Sequence, residues 1–114
     1  MIAFEQVWLP QIIDYARLIH SGQLENEWLG ISDRATSVID PDELHEQVFG
    51  DLDADGIWPP VRGIGRVSAR MSDAIDRFLA ALRDVDSNEP TVVIASVAGT
   101  RAKDAAGAVL ANVG

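Results

Sequence analysis

Apolar residues recur at helical spacing along most of the chain. Leu9, Ile12, Ile13, Ala16 and Ile19 share one face of a helix predicted over 10–20. Pro10 suits its first turn, where the missing N–H is not needed, and Ser21-Gly22 ends it. Upstream, Ile2, Phe4, Val7 and Trp8 fit either an extra helical turn or a short strand. Residues 30–40 contain Ser32, Asp33, Thr36 and Ser37 and read as a loop.

A second helix starts at the strongest signal in the chain. Asp40 stands as N-cap, Pro41 at the first position and Glu43 at the third, a variant of the capping box. Leu44, Val48, Phe49 and Leu52 form its inner face. Residues 51–65, with Gly56, Pro59-Pro60, Gly63 and Gly65, read as a turn-rich connection. The third helix, over 68–83, is the most periodic: Met71, Ile75, Phe78, Leu79 and Leu82 lie on one face. Thr91 to Ala95 fits a strand or a short buried helix, because so short a run has no decisive period. A last helix is predicted over 100–112, capped by Thr100. Its face of Ala102, Ala105, Ala106, Val109, Leu110 and Val113 permits close packing. The expectation is a single all-α domain over 1–114, a bundle of about four helices, with a small α+β fold as the alternative.

Composition supports a folded domain. The chain has 114 residues, 47% hydrophobic and 24% charged, which is a globular balance. There is no cysteine, so neither a disulfide framework nor a thiolate metal site is available. No apolar run approaches the roughly 18 residues of a membrane span. The start, MIAFEQVWLP, lacks the basic-then-apolar order of a signal peptide. The expectations are a cytoplasmic location and no membrane association.

Charge adds more. The formal net charge of −9 argues against nucleic acid, whose binding depends on neutralising phosphates. The charge is unevenly spread. Residues 35–61 hold Asp40, Asp42, Glu43, Glu46, Asp51, Asp53 and Asp55 without one Lys or Arg. Residues 62–83 carry Arg62, Arg66, Arg70, Arg77 and Arg83 against Asp73 and Asp76. The acidic stretch reads either as a solvated face partly paired with those arginines, or as a surface complementary to a basic partner. Such complementarity speeds association and selects partners. Trp58 lies between a turn glycine, Gly56, and Pro59-Pro60, which suits an exposed interface anchor; core packing is the rival reading.

Chemical motifs are incomplete. Asp51-Leu52-Asp53-Ala54-Asp55-Gly56 opens like a calcium loop, but Arg62 stands where a bidentate Glu is needed. His20 and His45 lie outside metal-ligand spacings. Ser96 lacks the flanking glycines of a nucleophile elbow, and Gly63-Ile64-Gly65 lacks the third glycine of a dinucleotide fingerprint. Neither a catalytic residue nor a cofactor is predicted, and the chain is not expected to be an enzyme.

The acidic segments Asp40-Pro41-Asp42-Glu43-Leu44-His45-Glu46 and Asp51 to Asp55, in a short cysteine-free chain, resemble the small acidic immunity proteins of bacterial toxin–immunity systems. These include the contact-dependent inhibition and polymorphic toxin systems. The resemblance implies a cytoplasmic inhibitor that occludes the basic active-site surface of a cognate toxin domain. Asp42, Glu43, Glu46, Asp51, Asp53 and Asp55 would meet that surface, with Trp58 as anchor. A fainter likeness is to short actinobacterial proteins with Trp-Leu after the first helix, here Trp28-Leu29, and an Ala-rich last helix. That likeness implies no activity. A regulatory or structural protein acting through homo-oligomerisation is the other expectation.

Overall fold

The most periodic stretch of sequence forms the central helix. The computed structural model describes residues 3–22 and 40–113. Among these there are helices and no strand. A π-helical turn, Phe4–Trp8, runs straight into α1, Leu9–His20. Next come α2, Pro41–His45, which widens into a π-helical segment Glu46–Asp51, and α3, Ala54–Gly63. They are followed by α4, Ala69–Arg83; α5, Pro90–Ala95; and α6, Val97–Ala111. The all-α class is therefore the observed one. The loop expected over 30–40 and the Trp28-Leu29 pair lie outside the described residues.

Helix α4 buries Met71, Ala74, Ile75, Phe78, Leu79, Ala81 and Leu82. Ser68 caps it by accepting the N–H of Met71 at 3.1 Å. Helix α6 packs on both α4 and α1. The small side chains Ala102, Ala105 and Ala106, with Val109, are buried there, so the helices approach closely. The His20 ring covers Gly107, where a β-carbon would crowd the imidazole.

One boundary differs from expectation. Helix α6 begins three residues early, capped by Ser96 and not Thr100. The Ser96 hydroxyl donates to the Val93 carbonyl at 2.6 Å and accepts the Gly99 N–H at 3.0 Å. One side chain thus closes α5 and opens α6. Residues 91–95 are helical: Pro90 presets the first turn, and only Val93 of α5 is buried.

The larger correction concerns the connection expected over 51–65. It contains α3, with Pro59 and Pro60 inside the helix. Proline normally ends a helix by removing a hydrogen bond and crowding the preceding turn. Here tertiary packing wins. Ala54 and Trp58 are buried on one side, while both prolines face solvent, where water can satisfy the carbonyls left over. Asp53 precedes the helix in the left-handed region, φ 46 and ψ 51. Asp tolerates this conformation better than most residues.

Candidate interaction face

The acidic residues sit on α2 and on the turn into α3. Asp40 caps α2 as expected, its carboxylate accepting the Glu43 N–H at 2.7 Å. Asp42 and Glu43 fall in the first turn, at the positive end of the helix dipole. Leu44, Val48 and Leu52 are buried and Phe49 half-buried, which turns Asp42, Glu43, Glu46 and Asp51 outward. The Glu46 carboxylate lies over Gly50, where a β-carbon would press on it. Asp53 and Asp55 are also exposed.

The widened turn Glu46–Asp51 is held from α1. Tyr15 donates its hydroxyl to Gln47 Oε1 at 2.5 Å. Partial burial, and then the nearby Asp51 carboxylate, push the Tyr15 hydroxyl above its ordinary 10.0. The phenol therefore stays a donor through neutral pH.

Pairing with the arginines is sparse. Arg83 reaches from α4 to Asp55 and also lies over the Phe49 ring, 5.0 Å from its centre. The His45 ring tilts against the Phe49 ring, with centres 4.6 Å apart. Arg62 instead binds Asp76 at 2.6 Å and Asp73 at 3.3 Å, and Arg66 binds Glu5 at 3.5 Å. Among the described residues, Asp42, Glu43, Glu46, Asp51 and Asp53 make no ion pair. The face is thus solvated and mostly uncompensated.

Trp58 does not join this face, and the exposed-anchor reading is corrected. It is 4% exposed. Its ring stacks on Trp8, with centres 5.6 Å apart and planes 3° apart, and Phe4 continues the stack at 5.4 Å from Trp8. Trp58 Nε1 donates to Asp76 Oδ1 at 2.7 Å. The flanking prolines read as a loop and concealed this burial.

The carboxylates of the incomplete calcium motif do not converge. Asp51 ends the π-helical segment, Asp53 stands before α3, and Asp55 turns to Arg83. Among the described residues, no three of His, Asp and Glu come together as a metal-holding group. Nor is any described helix long and apolar enough to cross a membrane.

Sequence reading also missed a groove beside α2. It has a volume of about 260 Å³ and is walled by apolar residues of α1, α2, α4, α5 and α6. Its parts are too far apart in sequence for any local pattern to announce it. In comparisons with protein-family models, curated proteins and solved structures, nothing matches this chain.

Proposed function

We propose that this chain is a protein-binding domain whose acidic face engages a basic partner, in the manner of an immunity protein that occludes a toxin domain. The observation that carries the reading is the run of exposed carboxylates at Asp42, Glu43, Glu46, Asp51 and Asp53. They project from an element whose opposite side is anchored in the core. A rigid, uncompensated acidic face raises encounter rates with a basic surface and penalises acidic competitors. No catalytic step is required. Trp58 contributes by fixing the position of α3.

The test begins with the protein encoded beside this chain, copurified and then measured by stopped-flow association. Glu46→Lys is combined with Asp53→Asn, because Asn accepts the left-handed backbone at that position as Lys does not. Association should slow by about tenfold at low salt, with a smaller deficit at high salt. An unchanged rate and unchanged protection from the toxin would remove the acidic face from the interface. A stable homodimer by light scattering, with no basic partner, would favour the self-association alternative.

A further inference from the structure

The groove and the acidic face are neighbours, and together they describe a more specific partner. The groove is lined by Ile19, Leu44, Leu82, Val85, Val93 and Ile94. Leu44, Leu82 and Val93 are almost wholly buried, so its floor belongs to the core and is held in place. About 260 Å³ is below the usual range for a cofactor or drug-sized ligand and suits one or two large side chains.

Exposed carboxylates stand beside the described lining: Asp42 and Glu43 lie between Pro41 and Leu44, and Asp86 follows Val85. The Asp42 N–H donates to Asn88 Oδ1 at 3.0 Å, which ties the segment after α4 to the first turn of α2. Exposed Asp86 and Glu89 therefore lie near exposed Asp42 and Glu43. Asp104 lines the groove, and among the described residues Lys103 and His45 are the basic side chains of the lining.

An apolar slot bordered by carboxylates is complementary to an apolar side chain flanked by cations. We infer that the groove receives a large apolar side chain from a basic amphipathic segment of the partner, while the carboxylates around it meet that segment's Lys and Arg. The inference rests on the proposed function and adds the site at which binding is anchored. It also assigns the parts: the groove holds the complex together, and the acidic face guides its formation.

The probe is a short helical peptide of Leu and Lys, compared with an equally charged peptide of Ser and Lys. Binding is followed by fluorescence anisotropy and by amide chemical shifts of the full chain. The Leu peptide should bind about tenfold tighter or better at about 0.15 M salt, from burial of one anchor side chain. Its shifts should centre on Val85, Val93, Ile94 and Thr100. Ile94→Asp should abolish the difference between the peptides. Thr100→Lys, at an exposed position of the lining, should reduce it without burdening the core.

Equal binding of both peptides, with shifts confined to α2, would overturn the groove while leaving the acidic face standing. Failure of both peptides to bind would overturn both readings. Groove shifts that grow with protein concentration alone would identify a second copy as the occupant and overturn the inference. Contacts from Trp28 or Leu29 into the groove that persist with the peptide present would overturn it as well.

Discussion

Asp76 has two oxygens and two tasks. One accepts the buried Trp58 N–H, and the other accepts Arg62. Removing both should reveal an asymmetry. Asp76→Ala leaves an indole N–H buried without a partner and should lower stability by about 1–3 kcal/mol. Asp76→Asn keeps an acceptor for Trp58 and loses mainly an exposed ion pair, worth about 0–1 kcal/mol. Urea unfolding checks this through the midpoint, with the slope unchanged. Trp8 is the contrasting case: its Nε1 is buried and has no hydrogen-bond partner among the described residues. It is retained through stacking and burial. Gly99 supplies a second contrast. A β-carbon there would overlap the Val93 carbonyl oxygen, whereas one at Gly63 would meet open space. Gly99→Ala should therefore cost about 1–3 kcal/mol. Gly63→Ala, in a helical position with negative φ, should gain roughly 0.5 kcal/mol. Thermal melts of the two variants, moving in opposite directions, would check both.

At the scale of elements, legibility followed the source of the stabilisation. Where a helix is specified by its own residues, the sequence was readable. Asp40 caps as its spacing implies, and Met71 to Leu82 bury the predicted face. Where a distant partner decides, it was not. Thr100 and Ser96 are both plausible caps, and only the Val93 carbonyl selects Ser96. Pro59-Pro60 argues for a loop until Trp58 is seen stacked on Trp8. The acidic residues of the candidate face were legible because charge needs no partner to be exposed. The groove beside them was not, since five helices contribute to it. The link between α1 and α2 gives a test at this scale. Tyr15 titrates higher in the folded chain than its ordinary 10.0, so the unfolded chain loses this proton first as pH rises. Its contribution is full below about pH 10 and is lost as pH climbs through the higher folded value. Wild-type stability should fall across that window. Tyr15→Phe should be less stable at neutral pH, by about 1 kcal/mol, and should lose less of its stability there. Denaturant midpoints measured from pH 8 to pH 11 would reveal a difference between the two curves, and parallel curves would exclude the Tyr15 link.

The whole molecule carries −9 on a body 41 × 26 × 25 Å in extent. Two opposed salt effects follow from that density. The described ion pairs, such as Arg17–Asp14 and Arg66–Glu5, join exposed groups and are worth about 0–1 kcal/mol each, so screening them loses little. The uncompensated carboxylates repel across the fold. At about 0.01 M salt the screening length is roughly 30 Å, close to the size of the molecule, and nearly all of them interact; at about 0.15 M it is roughly 8 Å, and only near neighbours do. Self-repulsion therefore outweighs the pairs, and the melting temperature should rise as sodium chloride is added over this range. Binding through the acidic face should move the other way, with association slowing as its attraction to a basic surface is screened. A core-dominated interface would leave association flat while stability rose. Measured on one protein under one set of buffers, the two slopes tell these cases apart: opposite signs identify the uncompensated carboxylates as the source of both, and a melting temperature that fell with salt would mean that the exposed ion pairs outweigh the repulsion.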